Sequence, residues 1–329
     1  MNVAPNEIVE RIASFLDLAD LRSLSLVDRR SARCCHRFIF TDVAVLHTAP
    51  CLSEFETLAG SAPLPTKHLW IYHGTWPACA RDDWEAWQSP ATYTHDRVLS
   101  DRPARDAFRA YYGFVNPSRL VRGELDQAQL GSIVSLLPHL RKVTISSVVR
   151  KRLGCLEDGR RPEQRHAIRV SPTVFDSIGD LADRVFALLP AFGHIQSIHI
   201  QGKLLNFPKP TRLEGVRELK ISALSLLASK TQSFTDFMTS FPNLTSLSLS
   251  PYRHLGLVFP LHAFRYPSLQ TASFAGFWLS RSTFLQFFER HGELSSLVLE
   301  EVILSDSNWA FVSSELGCKS RVLEIVNCY

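Results

Sequence analysis

The histidines, acids and cysteines are the residues of this chain that could carry out chemistry, and their spacing matches no catalytic signature. The twelve histidines are scattered, and the G-x-S-x-G, H-E-x-x-H, G-x-x-x-x-G-K-[ST] and G-x-G-x-x-G patterns are all absent. The seven cysteines include no C-x-x-C pair, so neither a zinc site nor a disulfide framework is indicated. The sequence predicts a reduced, non-catalytic protein with no cofactor and no metal.

A tryptophan-rich stretch, RDDWEAWQ, is the place where a pocket for chemistry could form. Asp82 and Asp83 lie close to Trp76, Trp84 and Trp87, whose rings could line such a pocket. Aromatic side chains more often anchor an irregular segment on a larger core. The stretch is therefore expected to be structural, and an enzyme centred on residues 70–115 is the least favoured function.

Positive charge concentrates between Arg141 and Arg169, a stretch that contains nine Lys and Arg residues and three acidic residues. Two glycines and Pro162 favour a loop at about residues 149–169. An anion-binding arm and a solvated insertion both fit this loop. The insertion is favoured, because the loop lacks the aromatic residues that stack on bases. The net charge of the whole chain is only +4, which also disfavours a nucleic-acid partner.

The elements that would position any site follow one repeating pattern, an apolar helical stretch followed by a strand of the form φ-x-x-φ-x-φ. The pattern is found in LPHLRKVTI, FGHIQSIHI, LEGVRELKI, FPNLTSLSL, YPSLQTASF and HGELSSLVL, and in part in PTKHLWI and KSRVLEI. Its central apolar positions from 198 onward are 219, 247, 272, 297 and 323, steps of 21 to 28 residues. Leucine-rich repeats have a period of about 20–29 residues.

This period predicts an α/β fold in which a short N-terminal helical domain precedes a leucine-rich-repeat-like solenoid of parallel strands and helices. The solenoid would cover residues 47–329 and be irregular at about 75–130, where the repeat gives way to a gap. A doubly wound α/β domain is the alternative. It is less favoured because the chain lacks a Gly-rich first turn and long, wholly apolar strands.

The polar residues that alternate with the core positions of successive strands would line the inner, concave face of such a solenoid. Concave solenoid faces are where partners dock, although solvent exposure alone would also account for polar residues there. His199 is the one histidine inside a confidently predicted strand. The candidate client-binding residues on this face are His199, Gln201, Glu218, Lys220, Ser248, Ser273 and Glu300.

The N-terminal segment carries more apolar helical surface than it can hide within itself. Ile8, Ile12, Phe15 and Leu16 fall at the spacing of one helical face. Asn6, Asp20 and Ser31 are the predicted caps of three short helices, the last ending near residue 38. A strand in FIFTDVAVL then leads into the sheet.

This segment resembles the F-box. That family's pattern is a Leu-Pro start, Glu-Ile or Glu-Leu, a short amphipathic helix ending in Leu, then Asp-Leu-x-x-Leu-x-x-Val and a basic tail. Ala4 stands where the family usually has Leu, and Cys34 and Cys35 lie near the position of a frequent Trp. The residues that match are Pro5, Glu7, Ile8, Ile12, Phe15, Leu16, Asp20, Leu21, Leu24, Leu26, Val27, Arg29 and Arg30.

The resemblance implies an F-box domain over residues 1–46 that docks on the Skp-type adaptor of a cullin ubiquitin ligase. The repeats would then bind the client protein to be ubiquitinated, so the chain would be a substrate receptor and not an enzyme. The alternative is a repeat scaffold whose N-terminal helices merely cap the array. The residues implied to form or support the adaptor contact are Pro5, Ile8, Ile12, Leu16, Leu21, Leu24 and Val27.

The expected location is the cytosol or the nucleus. No apolar run approaches the ~20 residues that span a bilayer, which predicts that the protein has no membrane partner. Glu7 and Glu10 stand where a secretory signal would need a basic start.

Overall fold

The computed structural model describes residues 5–46, 49–61, 63–72, 127–146, 179–204, 206–224, 226–251, 259–310, 312 and 322–328. The helices in these ranges are α1 Asn6–Ala13, α2 Leu18–Ser25, α3 Arg29–Ile39, α4 Ala49–Ser61, α5 Gln127–Ser135, α6 Gly179–Leu188, α7 Thr231–Met238 and α8 Arg281–Arg290. Single 3₁₀ turns lie at Leu189–Ala191, Ala228–Lys230 and Leu261–Ala263. None of the described helices is long and apolar enough to cross a bilayer.

Strands alternate with these helices along the chain. They are β1 Asp42–Leu46, β2 His68–Tyr72, β3 Lys142–Ser146, β4 Ser197–Leu204, β5 Glu218–Leu224, β6 Ser246–Pro251, β7 Thr271–Ala275, β8 Trp278–Leu279, β9 Ser296–Glu300, β10 Ile303–Leu304 and β11 Val322–Val326. Nine of them form one parallel sheet in the order β1-β2-β3-β4-β5-β6-β7-β9-β11, and β8 pairs with β10 separately. The predicted mixed α/β architecture with parallel strands is confirmed.

Two rows of apolar side chains run across the large sheet, because equivalent residues of neighbouring strands are paired. Alternate residues of a strand point to opposite faces, so both rows lie on one side of the sheet. On the seven inner strands every member is buried. The rows are Val43, Leu69, Val143, Ile198, Leu219, Leu247, Ala272, Leu297 and Leu323, and Val45, Ile71, Ile145, Ile200, Ile221, Leu249, Phe274, Leu299 and Ile325.

The same hydrogen-bonding pattern occurs at the start of successive strands. A carbonyl oxygen just before one strand accepts two N–H groups, from the residue just before the next strand and from the first residue of that strand. Lys67 O accepts in this way from Arg141 N at 2.8 Å and from Lys142 N at 3.0 Å. The units on either side of the two long sequence gaps are thus structurally equivalent to the regularly spaced ones. The accepting residues are Thr41, Lys67, Arg141, Gln196, Arg217, Thr245 and Gln270.

Helices α4 to α8 and the apolar rows of the sheet share one continuous core. Aromatic rings join neighbouring units, since Phe186 of α6 lies 5.2 Å from Phe237 of α7, centroid to centroid. Tyr266 also links units, because its hydroxyl donates to the Met238 carbonyl and its N–H donates to Nε2 of the buried His291. Burial raises the pKa of the Tyr266 hydroxyl, which therefore stays a donor.

The N-terminal helices have a separate small core of Ala13, Leu21 and Cys35. Their predicted caps are wrong by up to three residues. Asp17 accepts from the Asp20 N–H at 2.9 Å, and Asp28 accepts from the Ser31 N–H at 2.6 Å. Asp20 and Ser31, the predicted caps, are therefore the third residues of α2 and α3. Their N–H groups are the ones that the true caps, Asp17 and Asp28, accept from.

The first helix differs from its prediction in the same direction. Its cap position is Pro5, which makes no side-chain cap hydrogen bond, and Asn6 is the first helical residue. Among the described residues, Cys34, Cys35 and Cys328 are free cysteines, and the predicted reduced state of the whole chain stays a prediction.

Candidate functional site

Five large apolar side chains of the N-terminal helices are exposed. Ile8 and Ile12 are each 50% exposed, Phe15 73%, Leu26 86% and Val27 70%. We call these five residues the apolar patch. A surface helix normally turns such residues toward a core, so five exposed ones on one small helical unit make it a candidate contact surface.

Short helices with abrupt ends create this patch. Ile8 and Ile12 are one turn apart on α1, whereas Phe15, Leu26 and Val27 follow directly after the ends of α1 and α2. Arg11 covers part of the Phe15 ring, with its guanidinium carbon 4.8 Å from the ring centroid.

The start of α1 lies beside the turn that joins α2 to α3. Arg30 at the start of α3 donates from Nε to Oδ1 of Asn6, the first residue of α1. Glu10 and Arg37 form an ion pair of 2.8 Å between α1 and the last turn of α3. These contacts bring Ile8 and Val27 to the same end of the helical unit.

The predicted adaptor residues divide into exposed and supporting positions. Pro5, Ile8, Ile12 and Val27 are exposed, whereas Leu16 and Leu24 are half-buried against the small core. Leu21 is buried in that core, so it supports the surface and does not form it. Sequence reasoning left Phe15 and Leu26 out of the site, although both match the F-box pattern and Phe15 belongs to the predicted stripe. The observed helices end at Ala13 and Ser25, so both residues lie beyond them.

The predicted client-binding residues all lie on the sheet face opposite the core. One row across the sheet pairs Thr144, His199, Lys220, Ser248, Ser273, Val298 and Glu324 in register. Glu218 lies in the row before it, and Gln201 and Glu300 lie beyond it toward the strand ends. The alternation predicted for these strands is therefore the observed one.

The solvent exposure of the side chains on this face increases from β2 and β3 toward β11. Tyr72, Thr144 and Ser146 on β2 and β3 are buried, whereas Lys220 and Glu324 on β5 and β11 are exposed. We call the part of the face from β4 to β11, together with the half-buried Lys142 at the start of β3, the polar strip. It is the part that a partner can reach.

His199 is the most perturbed polar group of the strip. Burial, the nearby Lys220 and Lys142 ammonium groups and His68 lower the pKa of His199 to about 4, against a smaller opposite effect of Glu218. The imidazole is therefore neutral at physiological pH. Its Nε2 lies 3.2 Å from the Ser222 hydroxyl, across the β4–β5 ladder.

A chain of carboxylate, imidazole and hydroxyl groups crosses the first three strands. Nδ1 of His68 lies 2.6 Å from Oδ1 of Asp42, and Nε2 lies 2.8 Å from Oγ1 of Thr144. Hydrolases use this order of groups to activate a hydroxyl. Thr144 is fully buried, however, so its hydroxyl cannot meet a substrate. The three hydrogen-bonded groups therefore serve as a link between strands. The prediction of a non-catalytic protein stays a prediction.

Sequence reasoning missed this series of hydrogen-bonded side chains. His68 opens β2, so His199 is not the one histidine in a strand. Within the described ranges, no group of three or more His, Cys, Asp or Glu residues could hold a metal ion. The tryptophan-rich stretch and the basic loop at 149–169 lie outside the described residues.

No protein-family model matches this chain, and no curated protein matches it either. The F-box resemblance therefore rests on the residues quoted above and on the surface that they form.

Proposed function

We propose that this chain is the substrate-recognition subunit of a Skp–cullin–F-box-type ubiquitin ligase, acting in the cytosol or the nucleus. Residues 1–46 would be the F-box, and the apolar patch would dock on the Skp-type adaptor. The parallel sheet with its helices would be a leucine-rich-repeat-like solenoid that holds a client protein on the polar strip. The chain would then act by proximity, bringing the client to a transfer centre on other subunits.

The observation that carries this proposal is the apolar patch on a helical unit with its own core. Burying one large aliphatic or aromatic side chain contributes about 1.5–3 kcal/mol. Five such side chains, each half exposed or more, could therefore drive a stable heteromeric contact without matching charges. Their spacing is also that of the F-box pattern.

Three features of the sheet support the solenoid. Strand order in the sheet follows sequence order, the two apolar rows keep one register from β1 to β11, and one carbonyl pattern repeats before successive strands. Each unit buries its apolar side by stacking on its neighbours, which is how repeat arrays gain stability.

If the N-terminal helices only capped the array, as the scaffold alternative holds, their apolar side chains should be buried. A cap on the array would turn its apolar stripe onto the first strand and remove it from solvent. Ile8 and Ile12 are half exposed instead, and the small core of the helices is a cluster separate from the core of the sheet. These features favour docking on a partner.

The test is titration of a Skp-type adaptor into the full chain, with affinity measured by calorimetry. We expect the wild type to bind one-to-one. Leu26→Asp should weaken binding at least about tenfold, because a carboxylate in a buried apolar contact costs more than about 1.4 kcal/mol. Absence of binding by the wild type would contradict the proposal.

Leu58→Asp is the matched control. Leu58 is an exposed leucine on α4, outside the apolar patch, so the same substitution there should leave adaptor affinity unchanged. Equal losses in both variants would show a general effect of added acidity and would also contradict the proposal. Leu21 is unsuitable for this test, since a charge at that buried position would disrupt the helical unit itself.

A further inference from the structure

The polar strip has opposite charges at its two ends. At the β3–β5 end lie Lys142 and Lys220, and at the β9–β11 end lie Glu300 and Glu324. The described ion pairs include none of these four side chains. Glu218 lies in the same row as Lys142 and two residues before Lys220 on β5, and it offsets part of the charge of the lysines. The ends therefore carry about +1 and −2.

Between the charged ends the strip is almost uniformly hydroxylic. These side chains are uncharged, small and half-buried to exposed, so they form a surface that offers hydrogen bonds but little apolar area. Val298 is the apolar member of the central row. The hydroxyl-bearing residues are Ser222, Ser246, Ser248, Ser250, Thr271, Ser273 and Ser296.

A hydroxyl without a hydrogen-bond partner lies below the surface at the cationic end. Ser197 is paired in register with Lys142 on one side and Glu218 on the other. Its hydroxyl is buried and makes no hydrogen bond with the rest of the protein. Like the Thr144 hydroxyl it is out of reach of a partner, so it adds no contact to the polar strip.

From these observations we infer that the polar strip binds an extended, dipolar segment of the client, with an acidic residue over Lys142 and Lys220 and a basic residue over Glu300 and Glu324. Small or polar residues of the segment would cross the hydroxyl band. This inference rests on the proposed function, since it describes what the receptor would hold.

The distance between the ends sets the spacing of the two charges. Lys220 and Glu324 belong to one row and are separated by four strand spacings, which at about 4.8 Å each amount to about 19 Å. An extended chain rises about 3.3 Å per residue. The acidic and basic residues of the segment should therefore be about six positions apart.

A segment suits this surface better than a second copy of the chain does. Each strand contributes only two or three side chains to the strip, so the strip is long and narrow. Stable protein–protein interfaces bury about 800 Å² per partner around an apolar centre. The hydroxyl band supplies no such centre, whereas the peptide groups of an extended chain can bond to serine and threonine hydroxyls.

The test is selection of a random peptide library of about twelve residues, displayed on phage, against the full chain. Enriched peptides should contain an acid and a base about six positions apart. Lys220→Glu should remove the preference for the acid, and Glu324→Lys should remove the preference for the base, each with a drop of about fivefold in affinity for the wild-type peptides. Both side chains are exposed, so folding should be unaffected, as thermal unfolding would verify.

Three results would overturn the inference. The first is selection without enrichment, and the second is enrichment whose charge pattern is the same for both variants. The third is a wild-type dimer in sedimentation that Lys220→Glu dissociates, which would assign the strip to a second copy. Adaptor affinity measured on the Lys220→Glu variant separates the two proposals, because it should be unchanged even if the peptide result fails.

Discussion

The N-terminal helices and the parallel sheet expose opposite kinds of surface. The helices bury three residues in a core of their own and leave the five residues of the apolar patch exposed. The sheet and its helices bury their apolar residues in one continuous core and expose a strip of hydroxyls and charges. Length explains the difference. A unit of three short helices cannot enclose its apolar faces, whereas the strands and helices of the sheet cover one another in a continuous core.

Under the proposed function, this contrast would give one chain two modes of binding. Contact through the apolar patch would release water from apolar surface and depend little on salt. Contact through the polar strip would depend on charge pairing and hydrogen bonds, which salt screens. A receptor could thus hold its adaptor constantly and exchange its clients.

The largest expected effect concerns the two cores. Leu247→Ala, in the middle of the sheet, should lower the free energy of unfolding by about 2–5 kcal/mol, because neighbouring units hold the cavity open. Leu21→Ala should leave the main urea transition in place and instead speed proteolysis within residues 5–39. Equal shifts of the main transition in both variants would mean that the helices and the sheet unfold together.

An intermediate effect concerns pH and the polar strip. Burial and two lysines lower the pKa of His199 from 6.5 to about 4, so between these values the unfolded chain binds a proton that the folded chain does not. Stability should therefore fall as pH falls through this window, by about 1–2 kcal/mol after allowance for solvent screening. His199→Gln should remove this part of the pH dependence.

Urea unfolding at neutral pH and near pH 4 measures that effect. The matched control is His262→Gln, which removes an exposed histidine outside the polar strip. If His199→Gln and wild type lose the same stability on acidification, His199 does not carry the effect.

The smallest effect concerns the start of α2. Asp17→Ala should cost about 1 kcal/mol, because the Asp17 carboxylate accepts from the Asp20 N–H. Asp20→Ala, at the position that the sequence favours as a cap, should cost clearly less. The helical content and the protease resistance of the N-terminal unit would measure the loss of stability in both variants. A larger loss for Asp20→Ala would support the sequence-based cap instead.

The caps illustrate where sequence reasoning reaches its limit. The strands of the sheet follow from the sequence because parallel repeats place equivalent residues in one register, as in the row from His199 to Glu324. A cap is a pairing of two nearby polar residues, and Asp17 and Asp20 are both acceptable at either position. Only the backbone decides which one accepts.

The candidate site was predictable to a similar degree. The spacing of Ile8 and Ile12 gives the exposed stripe, but burial of Leu21 depends on how α2 packs against α3. The Asp42–His68–Thr144 chain joins residues 26 and 76 positions apart, a pairing that follows from adjacent strands and from no local motif.

The most direct test of the central claim is the temperature dependence of adaptor binding to the full chain. If the apolar patch is the docking surface, the heat capacity change measured by calorimetry will be clearly negative, as burial of apolar surface requires. The affinity will also change little between about 0.05 M and about 0.5 M salt. A heat capacity change near zero with strongly salt-dependent binding, or no binding at all, would contradict the account.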